Sequence, residues 1–185
     1  MAFDAPVKTE PGVLVHSRRD REVGAETWLA LAAPNAQEAQ QEWARYGLAL
    51  LRCGTTFTAV RIPADIVHAA AGTTDRAELA TYLTTALDGG PCFFDSSGQA
   101  FYVLTPRSTA GRWDVLDTEC LSGVDRFLGV PATTVTEPDP RCAAYWVVPM
   151  DGPAALCDPE IVRWLVTRGR IMRSEAARLE AGEDA

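Results

Sequence analysis

The segment from Cys92 to Leu104 constrains this chain most. Two apolar runs, Cys92–Asp95 and Gln99–Leu104, flank Ser96, Ser97 and Gly98. Runs this short and this rich in aromatic residues, split by a turn sequence, read as a β-hairpin. Strand signals recur on both sides of it. Upstream, Leu48–Arg52 and Phe57–Ile62 read as two strands around a turn, the second closed by Pro63. Downstream, Val130–Thr136 and Ala144–Pro149 read as strands joined by a loop through Glu137, Pro138, Asp139 and Pro140. Trp113–Leu116 is a further strand candidate, and residues 117–130 read as loop-rich.

Helix signals alternate with these strands. Trp28, Leu29, Leu31 and Ala32 suit a short helix that starts near Ala25 and is stopped by Pro34. Asn35 and Glu38 have capping-box spacing, Ala39 and Trp43 share a face, and Gly47 ends the segment. Pro63 opens a helix through Ile66, Val67 and Ala70 that Gly72 interrupts. Asp75 and Glu78 start another, with Leu79, Tyr82, Leu83 and Ala86 at spacings of three and four. Asp158 and Pro159 start the last, with Ile161, Val162, Leu165 and Val166 on its apolar side. Alternation of this kind predicts one α/β (α+β) domain, a mixed β-sheet with flanking helices. The expected limits are a polar lead-in over residues 1–24, a globular domain over 25–169 and a polar helix or tail over 170–185.

Charge and composition narrow the function. The chain has 185 residues, a formal net charge of −8, and Lys8 as its single lysine. Phosphate backbones repel such a chain at long range, which argues against bulk nucleic-acid binding. No apolar run approaches the ~20 residues of a membrane span, and the N-terminus lacks a signal pattern, so a cytoplasmic location is expected. Cys53, Cys92, Cys120, Cys142 and Cys157 are odd in number and never spaced Cys-x-x-Cys. They read as reduced, mostly buried thiols.

The ordered series of segments resembles the N-terminal domain of bifunctional primase/polymerases. Gly47–Arg52 matches that family's entry strand. Ala59–Pro63 occupies the strand that there ends in Asp-x-Asp. Ser96 to Val103 follows its Ser-Gly-Gly-x-His-x-Tyr hairpin, keeping a serine, Gly98 and Tyr102. Gly123 to Arg126 matches the region carrying a third carboxylate, and Tyr145 to Pro149 the closing strand. The chain also resembles small stand-alone actinobacterial proteins that keep the scaffold without its catalytic residues. The resemblance implies that Leu48–Arg52 and Phe57–Ile62 are adjacent strands, that the hairpin lies in the same sheet, and that Leu50, Val60, Phe94 and Phe101 are buried.

The resemblance also implies a lost metal site. Arg61 and Pro63 stand at the aspartate positions and Ala100 at the histidine position. Divalent-metal catalysis needs hard oxygen ligands, and a guanidinium offers no lone pair. Asp125 alone cannot clamp two metal ions on a triphosphate. Neither a metal nor a cofactor is therefore expected. Asp65 and Asp95 are the carboxylates that relocation would recruit, although Asp65 suits a helix start and Asp95 a turn.

Other constellations are weak. There is no Gly-x-Ser-x-Gly elbow, Walker loop or dinucleotide fingerprint. His16 falls in the lead-in and His68 reads as a partly exposed helix residue. Trp28, Trp43, Trp146 and Trp164 fall at core positions. The arginines remain: the resemblance implies that Arg61 points into the former metal cleft, where it would pair with Asp125 or bind an anion, the alternative being that it faces solvent. The candidate ligand site is Arg61, Ser96, Ser97, Gly98, Tyr102, Arg107, Arg112 and Asp125. The expected function is a non-catalytic accessory or regulatory role, through a protein partner or a small anionic ligand. The alternatives are a nucleotide-processing or nucleotidyl-transfer enzyme with relocated carboxylates, and a single-strand nucleic-acid binder.

Overall fold

The computed structural model describes residues 17–123 and 125–183. His16 and most of the expected lead-in lie outside the described residues. The order is α1 (Arg18–Ala30), α2 (Ala36–Tyr46), β1 (Leu48–Arg52), β2 (Thr58–Pro63), α3 (Ala64–Ala71), α4 (Arg76–Ala86), β3 (Cys92–Asp95), β4 (Ala100–Thr105), a 3-10 helix (Arg107–Arg112), β5 (Glu119–Leu121), β6 (Phe127–Pro131), β7 (Ala144–Val148) and α5 (Pro159–Glu183).

Local chemistry sets most of these boundaries. The Asn35 side chain accepts from the Gln37 and Glu38 N–H groups, and Gly47 ends α2 at φ 73°. Asp75 caps α4 through the Ala77 and Glu78 N–H groups. Asp158 accepts from the Glu160 N–H at the start of α5. These side chains satisfy donors that a helix start leaves unpaired. Helix α1 starts at Arg18 instead of near Ala25. Its charged run is solvated as expected, but Ser17 and Asp20 form a reciprocal capping box that turns the run into helix.

Two antiparallel sheets form. The larger has the order β5-β2-β4-β3-β7, and the smaller pairs β1 with β6. The expected β1–β2 neighbourhood does not occur, although β2 and the β3–β4 hairpin do share one sheet. Both edges of β1 are taken. One bonds β6, with Leu50 opposite Gly129. On the other, the Leu50 N–H donates to Glu42 Oε2 at 3.1 Å and the Arg52 N–H to the Ala32 carbonyl at 2.8 Å. An edge whose amides are already satisfied cannot accept another strand.

The large sheet is covered on both sides. Ala59, Phe93, Tyr102 and Trp146 pack under α1, α2 and the β1–β6 pair. Val60, Ile62, Phe101 and Val103 pack against α3, α4 and α5. Every residue of β4, the central strand, is buried, which explains its near-continuous apolar sequence. Val60 and Phe101 are buried as expected. Leu50 is 52% exposed, because it lies on the outer face of the small sheet, and Phe94 is half-buried.

Three further expectations change. Trp113–Leu116 is not a strand: the Trp113 indole N–H donates to Thr118 Oγ1 at 3.0 Å in a loop. Residues 117–130 hold β5 and most of β6, so that pairing begins at Phe127 rather than Val130. Trp43 and Trp146 are core residues, but Trp164 is 56% exposed, on the side of α5 facing away from the sheet. Among the described residues, no helix is long and apolar enough to cross a membrane.

Candidate functional site

The β2–β4 ladder sets the geometry of the candidate site. Arg61 lies opposite Tyr102, and Pro63 opposite Ala100. Side chains alternate along a strand, so these four residues share the face that carries Ala59. On the other side of β2, Arg61 lies opposite Glu119 of β5. Arg61, Pro63 and Ala100 are therefore neighbours on one face.

Arg61 is half-buried. Its Nη2 donates to the Gly98 carbonyl at 3.3 Å. No ion pair joins it to Asp125 or to any other carboxylate among the described residues. The nearby Glu119 is held by Arg126 at 3.6 Å. Arg61 thus keeps a cation on this face of the sheet with one neutral acceptor, the Gly98 carbonyl, among the described residues. Beneath it, Tyr102 is 9% exposed and stacks on Phe93, with centroids 5.1 Å apart at 15°.

The hairpin turn is internally satisfied. Asp95 Oδ1 accepts from the Ser97 N–H at 2.9 Å, the turn role expected of it. Ser96 donates through both Oγ and N–H to the Ala143 carbonyl. A Cβ at Gly98 would meet Asp95 Oδ2 at 2.6 Å, so glycine permits the close approach.

The remaining candidates separate. Arg107 and Arg112 are exposed at the ends of the 3-10 helix beyond Thr105. Ser96–Gly98 lie beyond Ala100, at the other end of β4. Five residue steps of strand put the two groups at least ~17 Å apart. Arg112 instead borders a concavity of about 210 Å³ with Thr109, Trp113, Asp158 and Arg163. Asp125 is exposed in the β5–β6 connection. Asp65 does not cap α3; its carboxylate pairs with Arg173 at 2.7 Å. Asp65, Asp95 and Asp125 thus lie on three separate elements, the first held by Arg173 and the second by the hairpin turn. Among the described residues, no group of three or more His, Cys, Asp or Glu side chains is placed to hold a metal ion.

Two larger concavities are present, the first bordered by Ser96 of the candidate set. One, about 690 Å³, is lined by Phe94, Ser96, Asp139, Arg141 and Tyr145. Its polar groups answer one another: Arg141 grips Asp139 and holds that carboxyl at about 2, while burial pushes the Tyr145 phenol up. The other, about 530 Å³, lies among Arg18, Arg21, Thr84, Thr133, Thr136 and Asp151, where Arg21 pairs with Asp151. Arg61 lines neither. His68 is half-buried, edge-on to Phe101 at 5.8 Å, and burial lowers its pKa against the opposing pull of Asp65.

Sequence reasoning missed Glu119, because a three-residue strand is too short to show alternation. Comparison with protein-family models, with curated proteins and with solved structures finds no match for this chain.

Proposed function

We propose that this chain is a non-catalytic accessory or regulatory protein on a degenerate primase/polymerase-like scaffold, and that Arg61 receives a small anionic ligand. The observation that carries this reading is the β2–β4 register, which sets Arg61, Pro63 and Ala100 side by side. A metal-binding strand pair would need carboxylate and imidazole there. This chain offers a guanidinium, a proline and a methyl group. The position of β1 departs from what the resemblance implies, so the reading rests on β2 and β4 rather than on the order of all strands.

Arg61 supplies attraction without chemistry: it is permanently charged, and its planar fork suits a phosphate or carboxylate. The enzyme alternative loses ground because Asp65, Asp95 and Asp125 do not converge. A nucleic-acid strand is disfavoured by the net charge of −8. A single small anion carries few charges, so the long-range repulsion it meets is far smaller than that on a strand with a phosphate at every nucleotide.

The test is calorimetric titration with nucleoside triphosphate, with and without manganese, on the parent protein and on Arg61→Ala. Binding is expected without metal and is expected to weaken about 10- to 150-fold in the variant, the scale of one charge-assisted hydrogen bond. A parallel primer-extension assay is expected to show no activity. Manganese-dependent extension lost in Asp125→Ala, or binding indifferent to Arg61, overturns the reading.

A further inference from the structure

Helix α5 has two faces with different fates. Val162, Leu165, Val166 and Gly169 are buried against the domain. The opposite side carries Trp164, Ile171, Met172 and Leu179, which are 56%, 53%, 38% and 72% exposed. At ~3.6 residues per turn these four, with Arg168 and Glu175, fall in one stripe about 100° wide. Trp164, Ile171 and Met172 also frame a shallow concavity of about 220 Å³. Past Arg173, the last residue of the helix tied to the domain by an ion pair, the side chains described are all exposed. A projecting helix that buries nothing gains little stability of its own.

The stripe is complementary to itself when reversed. An antiparallel copy related by a two-fold axis between Ile171 and Met172 sets Ile171 against Met172, Trp164 against Leu179, and Arg168 against Glu175. Each pair occurs twice, as an isologous contact requires. Apolar residues meet apolar residues, and the two charges that meet have opposite sign. Within one chain these charges do not satisfy each other. Arg168 lies over the Trp164 ring and donates Nε to the Ala70 carbonyl at 3.3 Å, with no carboxylate partner among the described residues. Glu175 makes no ion pair among the described residues. A parallel pairing would instead set Arg168 against Arg168.

We infer that the occupant of this stripe is a second copy of the same chain, docked antiparallel along α5 in a two-fold dimer. The contact spans sixteen residues of helix, Trp164 to Leu179, ~22 Å end to end, so it belongs with small, reversible interfaces of about micromolar affinity.

Sedimentation of the full chain from about 1 to 500 µM tests this. The parent protein is expected to pass from monomer to dimer across that range. Arg168→Glu and Glu175→Arg are each expected to weaken association at least about tenfold, because each sets like charges together twice. The double variant Arg168→Glu/Glu175→Arg is expected to regain it. Circular dichroism and melting of each variant confirm that these exposed changes leave the fold intact. A chain monomeric throughout, a dimer indifferent to the single reversals, a double variant that fails to recover, or dimerisation only after residues 1–16 are removed would each overturn the inference. The last result would make the chain's own N-terminus the occupant.

Discussion

Gly169 offers a test in which two physical effects of opposite sign compete. It sits on α5 where that helix crosses α3, and it is buried. Replacing it with alanine in a helix interior should by itself stabilise, by about 0.8–1.0 kcal/mol, because glycine carries the larger backbone entropy. Packing acts the other way. A Cβ built on Gly169 runs into the Ile66 carbonyl oxygen and lies 2.8 Å from Ile66 Cγ2 and 3.0 Å from its carbonyl carbon. Two of those three atoms are backbone, so no side-chain rotation relieves the clash and the helices must part. Parting them strains the Arg168–Ala70 bond at 3.3 Å and the Arg173–Asp65 pair at 2.7 Å. Overpacking of this kind costs about 1–3 kcal/mol, with rigid backbone placing it at the upper end. Gly169→Ala is therefore expected to destabilise by about 1–2 kcal/mol after the propensity gain, lowering Tm by about 2–8 °C in a domain of this size. Thermal and urea melts of the two proteins measure it. A variant as stable as its parent, or more stable, would refute the claimed close approach of α3 and α5.

Three further predictions rest on titratable groups. Burial lowers the His68 pKa from its ordinary 6.5, so the unfolded chain holds the proton more tightly; this contribution to stability is complete above pH ~6.5 and declines as pH falls below it. Urea melts from pH 7.5 to 5 should show His68→Gln losing less stability over that interval than the parent, and equal slopes would disprove the burial argument. Burial also pushes the Cys53 and Cys157 thiols up to about 12 and raises Cys92, while Cys120 alone among the five is not fully buried. Mass spectrometry after iodoacetamide treatment of the folded protein should find Cys120 modified first, with Cys53, Cys92 and Cys157 reacting only after unfolding. Finally, the Arg141 guanidinium holds the Asp139 carboxyl at about 2; in Arg141→Ala its NMR titration midpoint should climb toward the ordinary 3.8, and an unmoved midpoint would mean that backbone bonding alone sets it.

Much of the local structure was legible before any coordinates. Asn35, Asp75 and Asp158 announce helix starts because a short acceptor side chain satisfies N–H groups that nothing else can reach. Gly47 and Gly72 announce helix ends because both adopt φ near 70°, a region costly for side chains with a Cβ. The hairpin at Asp95–Ala100 follows from a short turn, and the shared face of Arg61 and Pro63 from strand alternation. Ser17 and Asp20 carried the same kind of signal for α1, hidden under a charged run that looks like solvent-exposed chain.

What the sequence alone could not decide is which partner each element meets. Strand β1 is followed within a few residues by β2, yet it pairs with β6, far along the chain, because Glu42 and Ala32 occupy its other edge. Trp164 has the spacing of a core residue, and only the direction in which α5 leans on α3 turns it outward. Arg107 and Arg112 look close to the hairpin in the sequence, but the length of β4 carries them to the opposite end of the sheet. Caps, turns and alternation are interactions over a few residues and can be read from them. Edge occupancy, helix orientation and the meeting of distant carboxylates depend on every packed neighbour at once, and only the tertiary structure settles them.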